Sequence, residues 1–458
     1  MRSLAVVPAV LLALAAPAAA GAATGPWSAP QDLSGPHSFV DAPQLLAAPD
    51  GRTLATWRPT DGGGAAGLTG TAGAFRRPTA PGFGVERIIS RPRDLAGRPS
   101  TLTAPVAYAR SRTLVAVTRP ETARGDRLRL SVAAGDTAGR FGATRTVAVQ
   151  THLRGPQLAA GAAGDAALAW WQDGLGATDR VWVSLRRPGG RFGAPRLLET
   201  GRVRSVSVAV SPRGDVLVAW DAQGSIRTRL RPAGARTHFH RTDTLRSRPP
   251  LDAIIRTAMT PRGRAYVAWT AQLVTEGGGI GAFTAEVAVR PVGAARFRPA
   301  QLLEEEHADV LLRAAPDLVT TGEGATFAWS GRYAGHQRVR VASTDAAAVF
   351  RGVTDVSPAD GTDAVDPTLA AGADGRRVLA WTQQSGDSGG LNLAAYAPGP
   401  GAAFGPPEVV SAGPESRVPD AAVTRDGVPI VVWSARPAGS AVPFAQLRTF
   451  AQAASRMP

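Results

Sequence analysis

The sequence predicts an all-β fold, an eight-bladed β-propeller of four-stranded antiparallel blades, and three observations predict it. A hairpin motif closed by an aromatic residue recurs along the chain every ~50 residues, a period typical of propellers. A second motif, in which an aromatic residue opens a short strand, alternates with the first. The N-terminal stretch carries one copy of that second motif out of order, as closure of a ring requires.

The clearest hairpin runs from Val206 to Trp220, VSVAVSPRGDVLVAW. It holds an apolar run, a turn at Pro212, Arg213 and Gly214, and a second apolar run, which reads as two antiparallel strands. Val216, Val218 and Trp220 fall on one face, with Leu217 and Ala219 on the other. A strand apolar on both faces must be covered on both sides, as the middle of a stacked blade is. The closing tryptophans therefore read as wedges between blades. The copies end at Trp57, Val117, Trp170, Trp220, Trp269, Trp329, Trp381 and Trp433. The copy ending at Val117 is the weakest; if it is an insertion, seven blades remain.

Outer strands open at Phe83, Phe141, Phe192, Phe239, Phe297, Phe350 and Phe404, one fewer than the hairpins. The missing copy is WSAPQDLS, Trp27 to Ser34, which matches FGAPRLLE at Phe192. The N-terminal strand should therefore complete the last blade and remove the open edges of the array. Residues 25–458 are expected to form a single propeller domain.

Hydrophobic content of 44% allows a sizeable core, and 52 Gly with 37 Pro demand many turns. The net charge of +15 comes with 51 basic residues that are all Arg, while Asn392 is the single asparagine. That bias is what a GC-rich genome produces. The arginines are dispersed, which argues against a nucleic-acid footprint. An anionic glycan or an extracellular protein is the expected partner, and the charge fits either. Arg2 and Ser3 precede a short Ala-rich apolar run with small residues placed for cleavage after Ala20 or Ala22. Residues 1–22 thus read as a secretory signal peptide, and a secreted, monomeric protein without a membrane span is expected. With no Cys there is neither a disulfide nor a lipid-anchor thiol, so the core alone must hold the fold.

The DG-x5-W hairpins (Asp50, Gly51, Trp57; Asp426, Gly427, Trp433) and the F-G-x-P outer strands carry a family resemblance. In them the chain resembles secreted actinobacterial-type propellers distantly related to the sialidase/BNR-repeat group. The resemblance spans nearly the whole mature chain and implies the fold. It does not extend to the Asp box: the nearest approach is Thr321, Glu323, Gly324, Thr326 and Phe327, one residue short and with Glu for Asp. A sialidase would also show an early F-R-I-P motif, whereas Phe297-Arg298-Pro299 sits late, at an ordinary outer-strand position.

Other motifs read as structural. Gly386-Asp387-Ser388-Gly389-Gly390 reproduces the surroundings of a serine nucleophile, yet no histidine context for a triad accompanies it. Glu304, Glu305, Glu306, His307 and Asp309 read as a solvated acidic loop. His238 and His240 are too few for a metal site. Asp61, Asp173, Asp179 and Asp387 lack calcium-loop spacing. No metal, cofactor or catalytic residue is assigned.

One charged set remains. Asp41, Arg154, Arg204 and Arg417 stand two residues before the proline position of the first strand, with Arg313 and Asp366 one place away. If that strand lines the channel, these residues gather at its mouth, and with Arg256 they would contact a carboxylated or sulfated ligand. Two functions follow: a secreted binding or scaffold module, or a glycoside hydrolase or polysaccharide lyase using carboxylates such as Asp41 and Asp366.

Overall fold

The computed structural model describes residues 27–34, 39–61, 68–69, 71–78, 80, 82–90, 106–110, 112–121, 127–175, 178–222, 224–235, 238–246, 250–274, 280–307, 316–333, 335–344, 347–384, 390–411, 416–435 and 450–455. The protein is an all-β propeller with seven four-stranded antiparallel blades. The Val206–Trp220 hairpin shows their plan. Val203–Val210 is innermost, Val216–Ala222 and Ser225–Arg231 follow, and Asp243–Arg246 is outermost.

The expectation of eight uniform four-stranded blades is corrected. The unit from Phe39 to Ser90 is a five-stranded sheet, because a short extra strand after Trp57 joins it. There the second strand runs on to Asp61, and Leu68–Thr69 folds back on it, with Thr60 opposite Thr69 and Asp61 opposite Leu68. The unit around Val117 is a complete four-stranded blade, with Val117 buried in the tryptophan position. Innermost strands meet their neighbours in chain order, and Ser416–Val423 returns to Phe39–Ala47. Gln31–Asp32 pairs with Phe450–Ser455, Gln31 opposite Ala453, so the N-terminal strand completes the last blade. The expected signal peptide, residues 1–22, lies outside the described residues.

Packing follows the two-faced strand pattern. Val216, Val218 and Trp220 close on Ala167, Ala169 and Val181 of the preceding blade. On the opposite face Leu217 and Ala219 pack with Ile255 and Trp269 of the following one. All seven tryptophans of the repeat are buried. The hairpin turn needs its glycine: Gly214 has φ 96°, Ser211 N–H donates to Asp215 O at 2.9 Å, and Gly214 N–H donates to Ser211 O at 2.9 Å. A left-handed residue closing such a turn is cheap for Gly and strained for residues with a Cβ.

The tryptophans differ in how their indole N–H is treated. Trp170 donates to Gln150 Oε1 at 2.7 Å, on the outer strand of the preceding blade. The Trp220 indole N–H is buried with no partner among the described residues. Trp170→Phe leaves the Gln150 carbonyl unpaired, whereas Trp220→Phe strands nothing. We expect urea unfolding to show Trp170→Phe costing about 1–2 kcal/mol more than Trp220→Phe; equal costs would contradict this account.

Candidate functional site at the channel

The innermost strands surround an axial cavity of about 650 Å3, lined by Leu46, Ala159, Ala258, Leu318, Val319 and Ala371 from five units of the ring. This apolar stretch lies toward the hairpin turns. Two polar levels lie further along the same strands, toward the loops that follow the tryptophans.

At the outer level the register of the inner strand breaks in five units. The breaks fall between Asp41 and Gln44, Arg154 and Gln157, Val203 and Val206, Val365 and Thr368, and Arg417 and Asp420. Gly155, Asp366 and Val418 take left-handed φ values of 49°, 53° and 49° within them. A bulge turns its side chains away from the regular pleat, and bulges concentrate at barrel rims and binding sites. Asp41 pairs with Arg58, Arg154 with Trp171 and Arg417 with Ser434, each partner one residue past the aromatic. The backbone positions of these three charges therefore share one level, and Arg204 stands on the corresponding bulge.

Arg154 and Arg204 are exposed. Asp366 is half-buried, and burial pushes its carboxyl above the ordinary carboxylate range. Arg313 lies outside the described residues, as do the side chains of Asp41 and Arg417. Arg256 is elsewhere. It pairs with Ala268, one residue before Trp269, so it stands two residues deeper than the others. The shift arises because its strand breaks register earlier, between Pro250 and Asp252.

That deeper level is a polar set that the sequence reading passed over. Gln44, Gln157, Ser207, Arg256, Asp317, Thr368 and Asp420 each pair with the residue before the tryptophan. The signal was available in APQ, GPQ, APD and VPD, where a polar residue follows the proline. Asp317 accepts Leu369 N–H of the next unit at 2.8 Å and its own neighbour Leu318 N–H at 2.8 Å. Asp420 accepts Leu45 N–H at 2.6 Å, Ala421 N–H at 2.9 Å and the Thr368 hydroxyl at 2.9 Å. These carboxylates tie one inner strand to the next, and the Asp420–Leu45 bond ties the last unit to the first.

Burial pushes Asp420 up to about 6, against the pull of the Leu45 N–H and Thr368 hydroxyl and with help from the Asp317 charge. Burial also raises Asp317, with Arg256 opposing, and lowers Arg256, with Asp317 opposing. The level is thus a cross-linking belt beneath the mouth. Its carboxylates are already engaged by donors of the fold.

The Glu304 group is not a solvated loop. It lies on the outer strand Gln301–His307, where Glu304 is buried, accepts the Trp329 indole N–H and pairs with Arg340 at 2.5 Å. Arg340 also pairs with Asp355 at 2.7 Å and lies 5.2 Å from the Tyr333 ring centre. Burial pushes Glu306 up to about 7, with the neighbouring Glu304 charge adding to it and Arg340 opposing. Pairing to the tryptophan and arginine of the next blade explains what charge density alone did not. The His307 side chain, Asp309 and Gly386–Gly389 lie outside the described residues, and His238 and His240 are exposed. Among the described residues no three His, Cys, Asp or Glu side chains group to hold a metal.

No protein-family model matches the chain, and no curated protein matches its sequence. Solved structures resemble it at low identity. The NanB sialidase of Streptococcus pneumoniae is 10% identical, covering 92% of this chain and 68% of that one, with a TM-score of 0.38. The intramolecular trans-sialidase of Ruminococcus gnavus is 9% identical over 91% of this chain and 94% of that one, with a TM-score of 0.38. A polysaccharide lyase, ulvan lyase, is 9% identical over 75% of this chain and 90% of that one, with a TM-score of 0.44. The chain, a β-propeller by its own sheets, resembles sialidases and a polysaccharide lyase at low identity.

Proposed function

We propose that this protein is a secreted binding module that takes a carboxylated or sulfated carbohydrate at the mouth of its channel. The observation that carries the reading is the common bulge level, where Arg154 and Arg204 are exposed above a belt whose carboxylates are engaged by the fold. Guanidinium groups match the planar, bidentate geometry of carboxylate and the oxygens of sulfate, and a concave mouth concentrates their field.

A hydrolase or lyase reading draws on Asp366, whose raised, half-buried carboxyl suits a proton donor. A glycan array of the mature protein, run beside a released-sugar assay, separates the two. Binding to acidic glycans without turnover is expected, with Arg154→Ser/Arg204→Ser weakening it about tenfold or more. Sugar release that Asp366→Asn abolishes would replace the binding module with an enzyme. Capture of neutral glycans alone would remove the arginines from the account.

A further inference from the structure

A second charged feature lies far from the channel mouth, on the outer rim near the hairpin-turn end of the strands. A groove of about 880 Å3 separates the blade of Arg112–Gly135 from the next, and Arg112, Arg145, Arg186 and Arg191 line it. Its apolar floor includes Leu114 and Val132, and no lining residue is acidic. Arg186 is buried and fixed, its Nε donating to Gly190 O at 3.0 Å and its Nη1 to Gly164 O at 2.9 Å. Burial lowers its pKa, the Arg112 charge lowers it further, and Asp165 opposes. Arg112, Arg145 and Arg191 are exposed. Arg186 pairs with Ala166, at the far end of its blade from the level of Arg154.

The neighbouring groove, about 770 Å3, repeats the pattern one blade earlier with Arg52, Arg76, Arg77 and Arg87. Asp50 pairs with Arg52 there at 2.7 Å, and the Arg76 Nε is buried with no hydrogen-bond partner among the described residues, burial lowering the Arg76 pKa and the Asp426 charge opposing. Again no lining residue is acidic.

The repeat shows that this is a sector of the rim. Four residues after the aromatic that opens the outer strand stand Arg87, Arg145 and Arg196 in three consecutive units. The same position holds Asp243, Gln301, Thr354, Glu408 and Gln31 in the others. That one position thus carries arginine along one arc and neutral or acidic residues around the rest, whereas the position of Arg76 and Arg186 is also arginine at Arg231 and Arg290 in the units that follow. General arginine enrichment would not confine the first of these positions in this way.

We propose that this arc is a second binding surface, a track for a linear sulfated or carboxylated polysaccharide whose successive anionic groups seat in adjacent grooves. It stands on its own residues and does not depend on the reading of the channel mouth. Guanidiniums lining grooves that no acidic residue enters favour anionic groups that can seat there. The grooves offer no exposed ring on which a base could stack, since Phe75, Phe83 and Phe192 are all at least half-buried. Arg186, buried in its recess, is out of reach of a flat membrane surface.

The test is fluorescence anisotropy with labelled heparin across a salt series. Binding that weakens with added salt is expected, and Arg145→Ser/Arg191→Ser should weaken it about tenfold or more. Adding Arg77→Ser/Arg87→Ser should weaken it further, while Arg154→Ser/Arg204→Ser at the mouth should leave it unchanged. The four rim residues substituted are exposed, so unfolding midpoints should match the parent. Heparin affinity unchanged by the rim substitutions overturns the proposal. So does single-stranded DNA or an anionic phosphatidylserine vesicle binding as tightly as heparin.

Discussion

Asp420→Ala should lower the stability of the ring by several kcal/mol, on the order of 3 or more. The carboxylate accepts three donors, and alanine leaves the Leu45 N–H, Ala421 N–H and Thr368 hydroxyl without their acceptor where the last unit meets the first. A buried donor without an acceptor costs about 1–3 kcal/mol. Urea unfolding followed by tryptophan fluorescence measures the loss. A change below 1 kcal/mol would mean that the Gln31–Asp32 strand alone secures the closure.

The same residue gives a pH dependence with a definite sign. Its folded-state pKa of about 6 lies above the ordinary aspartate value of 3.8, so the folded chain holds this proton more tightly than the unfolded chain does. The contribution is fully present below the unfolded value and is lost as pH rises through about 6. Two pKa units correspond to about 3 kcal/mol, which this group should supply at pH 4 relative to pH 8. In the parent minus Asp420→Asn comparison, the stability difference should shift toward the parent as pH falls. A difference independent of pH would show that the carboxylate titrates normally.

Trp329→Ala should be at least as damaging, about 3–5 kcal/mol for the cavity before any electrostatic cost. Trp329 is buried against Phe327, their ring centres 4.9 Å apart, and its indole N–H binds Glu304. Removing the ring leaves Glu304 short of a donor beside Glu306, the neighbour whose pKa it raises. The companion substitution Glu304→Gln removes that like charge, so Glu306 should titrate below its value of about 7. Side-chain carboxyl shifts followed by NMR across pH report this directly. An unmoved Glu306 would assign its perturbation to burial alone.

These expectations show where one-dimensional reading worked. Trp220, Val218 and Leu217 announce a strand covered on both faces because alternation of side chains is fixed by the pleat. WSAPQDLS at Trp27–Ser34 announces ring closure because its likeness to FGAPRLLE survives at the wrong end of the chain. Leu68–Thr69 was not legible: two residues folding back after a Gly-rich turn carry no periodicity of their own. The level of Arg256 was missed because counting from a proline assumes the same bulge in each unit, and this unit breaks register elsewhere. Glu304 was misread because a run of acids looks solvated until the arginine and tryptophan that meet it are placed.

The sequence by itself determined the repeating hairpin, the buried tryptophan wedge and the pairing of the two ends. All three follow from local periodicity and from likeness between copies. Tertiary structure alone decided which charges share a level, which carboxylates staple adjacent units, and which arginines face an unshared groove. Those outcomes depend on register and on neighbours about 50 or more residues away, as Asp420 and Leu45 are. A one-residue change of register turns a side chain to the opposite face, so no pattern within a single copy could have fixed them.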